Sequence, residues 1–108
     1  MALNHVQTGN HMEWTNNTGA DVVSGSAVAV GSVVGVAFGN IPDGTTGVLA
    51  TEEVWELTKV AGAILQGTTV YLDGNKEITT TATDNVKAGF AFTPAADTDE
   101  TVRVKINA

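Results

Sequence analysis

Apolar and polar side chains alternate with period two in several segments of the chain. The clearest example is the C-terminal segment, residues 101–107. Its apolar positions are Val102, Val104 and Ile106, and its polar positions are Thr101, Arg103, Lys105 and Asn107. Because successive side chains of a β-strand point to opposite faces of its sheet, this pattern predicts a strand with one buried and one solvent-exposed face.

The same alternation recurs earlier in the chain. It is carried by Val34, Val36 and Phe38, by Trp55 and Leu57, and by Val70 and Leu72. Turn-forming residues punctuate the sequence at Asp43-Gly44, Asp73-Gly74-Asn75 and Asp84-Asn85. Short strands separated by tight turns predict an all-β fold, a small antiparallel β-barrel or sandwich.

Residues 51–66 fit two kinds of secondary structure. Apolar side chains in this stretch also follow a helical stripe after a possible cap at Thr51. Gly62 argues against one long helix, because glycine destabilises a helix interior. We therefore predict a strand over residues 53–59 and a short helical turn near residues 61–66, so that the fold contains at most one short helix.

A four-residue echo links two of the predicted strands. Gly35-Val36-Ala37-Phe38 resembles Gly89-Phe90-Ala91-Phe92. The echo indicates two equivalent strands of a pseudo-repeated barrel, although a chance match of four residues is the alternative interpretation.

Length and composition predict one domain preceded by an arm. The 108 residues are enough for one core but not for two domains. Residues 1–10 hold only Leu3 and Val6 as strongly apolar side chains after Met1. We predict an extended N-terminal arm over residues 1–10 and a single β-rich domain over residues 11–108.

Charge and composition exclude several classes of function. Five basic and twelve acidic residues give a net charge of −7, which disfavours direct binding to nucleic acid. The most apolar stretch, residues 27–38, is too short for the ~20 residues of a membrane-spanning helix, and the N-terminus lacks the pattern of a secretory signal. Cysteine is absent, which removes disulfides and thiolate metal sites.

Two segments resemble ligand loops but depart from them at a key position. Residues 62–69 match the spacing of a phosphate-binding loop, yet Thr68 stands where that loop needs lysine. Residues 73–84 place oxygen ligands at calcium-loop offsets, yet Ile78 stands where that loop needs glycine. A β-hairpin turn at Asp73-Gly74-Asn75 explains the second segment better.

The remaining polar residues do not form a recognisable catalytic set. His5, His11 and Glu13 are possible metal ligands if the arm folds back, but solvated side chains are the more common explanation. The serines lack a neighbouring His and Asp arrangement or a nucleophile motif. We therefore predict no enzyme activity, no metal and no cofactor. Of the two tryptophans, Trp55 is predicted to lie in the core and Trp14 at an interface.

The chain resembles a phage and prophage family of capsid decoration, or cement, proteins, long catalogued as a domain of unknown function. The matching segments are residues 4–9, 33–37, 47–51, 54–59, 66–73, 87–91 and 101–107. Members typically carry Gly-Asp-x-Val-Tyr where this chain has Gly67-Thr68-Thr69-Val70-Tyr71. The family is also similar to the trimeric, head-stabilising proteins of lambda-like phages, which implies a β-clip-like fold.

The resemblance implies a structural virion protein on the capsid exterior, present in the host cytoplasm during assembly. Its expected partners are the major capsid protein and further copies of itself in a trimer. The expected capsid-binding arm comprises Ala2, Leu3, Asn4, His5, Val6, Gln7, Thr8 and Gly9, and the possible interface residues are His11 and Trp14. The alternatives are a fibre-base or tail module and a surface carbohydrate-binding domain, which would need exposed aromatic residues such as Trp14, Trp55 or Tyr71.

Overall fold

Two antiparallel β-sheets form the fold, in a computed structural model that describes residues 10–108. Nine strands and no helix occur in this range, and one sheet curls into a half-barrel. The strands are β1 (His11–Thr15), β2 (Ala27–Val30), β3 (Val33–Ala37), β4 (Thr46–Ala50), β5 (Val54–Thr58), β6 (Thr69–Leu72), β7 (Ile78–Thr79), β8 (Val86–Ala91) and β9 (Thr101–Ile106). The prediction of an all-β barrel or sandwich is confirmed.

The two sheets have the same strand connectivity. The four-stranded sheet has the order β1-β4-β3-β2, and the five-stranded sheet has the order β5-β9-β8-β6-β7. β1 and β5 therefore lie at equivalent edges, and the hairpin strand β7 is the one addition to the second sheet. Within residues 10–108, no helix is long and apolar enough to cross a membrane.

Hydrogen bonds outside the strands repeat in the same way. Val22 exchanges two backbone bonds with Ile41, and Ile64 exchanges two with Ala95. The N–H of Gly25 donates to the carbonyl of Ala37 at 2.8 Å, just as the N–H of Gly67 donates to the carbonyl of Ala91 at 2.8 Å. These matched bonds confirm that the sequence echo marks two equivalent strands, β3 and β8, in two structural repeats.

Apolar residues pack into two clusters, on opposite faces of the four-stranded sheet. The main core lies between the sheets and includes Val34, Val36, Ala50, Val70, Val104 and Ile106. The small core lies on the far face of the four-stranded sheet and contains Val22, Val28, Ala37, Ile41 and Leu49. Strand β3 is thus buried on both faces, because apolar residues occupy both sets of its alternating positions.

The two repeats stack so that their equivalent faces point in the same direction. In the first repeat, Val36 pairs with Ala50, and both are buried in the main core. In the second repeat, the equivalent pair is Phe90 with Lys105. This pair lies on the outer face of the five-stranded sheet, because the alternate residues Ala91 and Val104 belong to the main core.

One expected helical element is absent. The short helical turn predicted near residues 61–66 is wrong, whereas the predicted strand over residues 53–59 is present as β5. Ile64 forms an antiparallel bridge with Ala95. Its backbone groups are therefore paired with another strand segment and are not available for a helical turn. The apolar positions that suggested a helical stripe instead alternate between the main core and solvent, with Ile64 buried and Leu65 exposed.

The Asn107 side chain joins the two sheets. Its Oδ1 accepts a hydrogen bond from the N–H of Val34 at 3.1 Å. Its Nδ2 donates to the carbonyl oxygens of Val34 and Thr51, each at 2.7 Å. Asn107 lies just beyond β9 with φ of +57°, a conformation that asparagine tolerates better than most residues. It is therefore a link between sheets rather than part of a solvated strand face.

Replacing Asn107 with glycine should lower the free energy of unfolding by about 1–3 kcal/mol. Glycine accepts the left-handed backbone, so the change reports mainly on the lost side-chain bonds. Chemical denaturation measures the loss, and hydrogen exchange should show weaker protection of the Val34 amide. Asn75→Gly, at an exposed hairpin position, is the matched control. Equal stability of the two variants would contradict the proposed link.

Candidate functional site

An aromatic groove opens on the surface beside edge strand β1. It has a volume of about 500 Å³ and is lined by His11, Met12, Glu13, Phe38 and Val48. The pairing of Glu13 with Val48, next to the end of β3, brings these side chains to one face of the four-stranded sheet. The groove combines apolar walls with one carboxylate, a composition that suits a protein partner.

Phe38 is the centre of the groove. Its ring lies 5.0 Å from the ring of His11 and 5.6 Å from that of Trp55, measured between centroids. The side chain is 48% exposed although it continues the buried series of Val34 and Val36. Alternation assigned Phe38 to the correct face of the sheet but not to an exposed position, where Trp55 and His11 cover only part of its ring.

The two tryptophans have different surroundings. Trp55 packs against the main core, as predicted, and its indole N–H donates to the carbonyl of Glu52 at 2.8 Å. Trp14 is half-buried and packs against the small core. Its role at an interface stays a prediction, as does that of His11, which the structure places in the aromatic groove.

The residues expected to form the capsid-binding arm lie outside the described residues. They are Ala2, Leu3, Asn4, His5, Val6, Gln7, Thr8 and Gly9. They precede Asn10, whose carbonyl accepts a hydrogen bond from the N–H of Thr51 at 3.0 Å. Asn10 is followed at once by β1, an edge strand, and by the groove residue His11. The chain therefore enters the described domain next to the groove.

A second surface lies on the outer face of the five-stranded sheet. It carries two aromatic and three basic side chains, and we call it the basic-aromatic face. Its residues are Phe90, Phe92, Lys87, Arg103 and Lys105, and Glu56 lies among them as the cross-strand partner of Arg103. The Phe90 and Phe92 rings lie 6.5 Å apart between centroids. Sequence reasoning missed this surface, although the alternation of Arg103 and Lys105 along one strand was its available signal.

The segments that resemble ligand loops have structural roles. The carboxylate of Asp73 accepts hydrogen bonds from the N–H groups of Asn75 at 2.8 Å and Glu77 at 3.0 Å, and so holds the β6–β7 turn. This confirms the predicted hairpin. Residues 62–69 run through the Ile64 bridge into β6. In the described part of the chain, no group of three or more His, Cys, Asp or Glu side chains could hold a metal.

Comparison with known proteins identifies one family. A family model described as phage cement protein matches residues 6–106, nearly the whole chain. No curated protein and no solved structure gives a significant match.

Proposed function

Because this chain belongs to the phage cement protein family, a family of structural proteins that stabilise the capsid, we propose that it binds the exterior of the assembled capsid as a trimer. Residues 2–9 serve as the arm that contacts the major capsid protein. The observation that carries the proposal is the family match over residues 6–106, which includes residues 6–9 of the arm. The protein is made in the host cytoplasm and joins the shell there.

Strand addition is the proposed mode of attachment. An extended segment that pairs with the edge of a capsid-protein sheet gains main-chain hydrogen bonds without needing a deep pocket. The polar composition of residues 2–9, with Leu3 and Val6 as apolar anchors, suits such a segment. Its connection to edge strand β1 through Asn10 fixes the point on the domain from which the arm starts.

Trimer formation strengthens attachment through multivalency. Three arms on one particle raise the effective concentration of the second and third contacts once the first has formed. Binding to the assembled lattice but not to separate capsid subunits then stabilises the lattice by mass action. The function is mechanical, and none of its steps needs a cofactor.

Deletion of residues 2–9 should weaken capsid binding at least tenfold, which corresponds to about 1.4 kcal/mol. The deletion keeps Asn10, because its carbonyl bonds to Thr51 within the folded domain. Co-sedimentation with mature capsids that lack the protein measures binding, and imaging of saturated particles shows whether density appears at three-fold positions on the exterior.

A second variant tests whether capsid binding depends on the sequence of residues 2–9 or only on their length. Replacing residues 2–9 with a Gly-Ser segment of equal length should weaken binding as much as the deletion does. Both variants should unfold at the same denaturant concentration as the full chain. A deletion variant that still saturates capsids would refute the arm model, and density on tails instead of capsids would refute decoration.

A further inference from the structure

The positive charges of the chain are segregated. All five Lys and Arg residues follow position 58, so the four-stranded sheet and its loops contain none. Lys59 is buried, and Lys76 lies on the β6–β7 hairpin. The other three, Lys87, Arg103 and Lys105, belong to the basic-aromatic face. In a chain of net charge −7, this face combines three cations with one carboxylate, Glu56, and so can attract an acidic surface.

The basic-aromatic face also exposes apolar side chains among its cations. Phe92 is 45% exposed and lies beside Arg103, to whose carbonyl its N–H donates at 2.8 Å. Phe90 pairs directly with Lys105, and Val54 pairs with Lys105 from the other side. Exposed aromatic rings and arginine are enriched at protein interfaces.

The aromatic groove has complementary charge. The charged residues of the four-stranded sheet and its loops are acidic, namely Glu13, Asp21 and Asp43. Glu13 lines the groove itself, next to Phe38 and to Val48, which is 42% exposed. By register, Glu13 of the groove corresponds to Glu56 of the second repeat, and Val48 corresponds to Arg103, so the three cations are what distinguish the basic-aromatic face from the groove.

In the first repeat, the face of the sheet that is equivalent to the basic-aromatic face is covered by another sheet. The face of the first repeat that carries Val36 and Ala50 is covered by the five-stranded sheet. The equivalent face of the second repeat carries Phe90 and Lys105 and has no second sheet over it within residues 10–108. Its larger and charged side chains make it suited to a separable cover rather than to a permanent core.

We propose that a second copy of this chain docks head to tail, with the basic-aromatic face of one copy against the aromatic groove of its neighbour. Phe92 packs against Phe38, and Arg103 pairs with Glu13. The contact joins two different surfaces, so each copy keeps one of each for a further neighbour, and the set closes into a ring where the rotation between copies allows. This inference rests on the proposed function, because it names the surfaces through which the copies associate. It also places the start of each arm beside a contact between copies.

A charge exchange tests the contact. Glu13→Arg and Arg103→Glu should each weaken self-association at least tenfold, because each places two like charges opposite one another. The two changes combined should restore association to within about threefold of the wild-type protein, since the pair is re-formed with its charges reversed. Sedimentation velocity over a concentration series at low ionic strength measures the association, because salt screens exposed pairs.

Two controls make the result specific. Glu13→Arg combined with Lys76→Glu has the same charge balance but alters a cation of the hairpin, and it should not restore association. Phe38→Ser and Phe92→Ser, at equivalent positions of the two repeats, should each weaken association while circular dichroism shows an intact fold.

The inference fails if the wild-type protein stays monomeric over the concentration series, if the single variants associate like the wild type, or if the exchange does not restore association. Each of these results can occur while the wild-type protein still saturates capsids, in which case the proposed function stands without this contact. Conversely, a restored association with no capsid binding would support the contact and refute the proposed function.

Discussion

Replacing Gly89 with alanine is expected to lower the free energy of unfolding by roughly 3–5 kcal/mol, a large share of the stability of a small domain. Gly89 has φ of +147°, a conformation that residues with a side chain rarely adopt. A Cβ built there would overlap the carbonyl oxygen of Lys105 in β9. Because β9 lies between β5 and β8, its backbone cannot retreat without breaking pairs on both sides.

The irregular pairing of β8 explains why the glycine is needed. Val70 pairs with Gly89 and Tyr71 with Lys87, so Ala88 is an additional residue at a β-bulge. Because of the bulge, the Ala88 side chain lies in the main core, while Lys87 and Phe90 both lie on the basic-aromatic face. Gly89→Ala is therefore expected to disturb that face as well as the stability of the sheet.

Two alanine variants serve as controls for Gly89→Ala in urea denaturation. Gly39→Ala should be nearly neutral, because open space surrounds this position and the equivalent residue of the second repeat is Thr93. Gly35→Ala should have an intermediate effect, since its Cβ would meet the Leu49 side chain at 2.8 Å. A Gly89→Ala variant that loses less than about 1 kcal/mol would show that the bulge relaxes easily.

Replacing Asn16 with alanine is expected to lower the free energy of unfolding by roughly 2–4 kcal/mol. Asn16 is 0% exposed and uses its whole amide group. Its Nδ2 donates to the carbonyls of Ala20 and Ile41, each at 2.8 Å. Its Oδ1 accepts from the N–H of Thr18 at 3.0 Å and from the Thr18 hydroxyl at 2.7 Å. Alanine would remove all four of these bonds from a buried site, although the Ile41 carbonyl keeps its bond from the Val22 N–H and the Ala20 carbonyl keeps its bond from the Thr18 hydroxyl.

The effect should extend to the small core, because Ile41 contributes both a carbonyl to Asn16 and a side chain to that core. Hydrogen exchange should therefore show weaker protection of the Val22 and Ile41 amides, each of which donates to the carbonyl of the other residue. The matched control is Asn17→Ala, at the neighbouring exposed position, which should change stability by less than about 0.5 kcal/mol. Similar losses from both variants would contradict the role assigned to the Asn16 amide.

Asn16 and Lys59 occupy equivalent positions in the two repeats but have different side-chain roles. Each follows the edge strand of its sheet, and their N–H groups donate to the carbonyls of Thr45 and Glu100. Both side chains are buried, Lys59 being 4% exposed. The Lys59 ammonium group donates to the carbonyl of Val60 at 3.0 Å instead of organising a loop. The backbone framework is repeated, and the side chains differ.

The sequence by itself determined the class of fold and most of its strands. Alternation along residues 101–106 specifies β9 because its inner and outer residues differ in polarity at every step. The Asp73 hairpin was also predictable, because turn chemistry is local to a few residues. The family, too, follows from motifs spread along the chain, and the matching family model supports it. These features depend on neighbours in sequence or on the order of motifs.

Only the tertiary structure decided which faces are covered. The same alternation that buries Val36 leaves Phe38 48% exposed, because coverage depends on which side chains of the second sheet lie over each position. Phe90 and Val36 occupy equivalent positions in two like strands, yet one lies on the surface and the other in the main core. Likewise, Asn107 reads as a polar strand residue but links Val34 to Thr51. Such contacts join residues far apart in sequence, and periodicity carries no information about how two sheets stack.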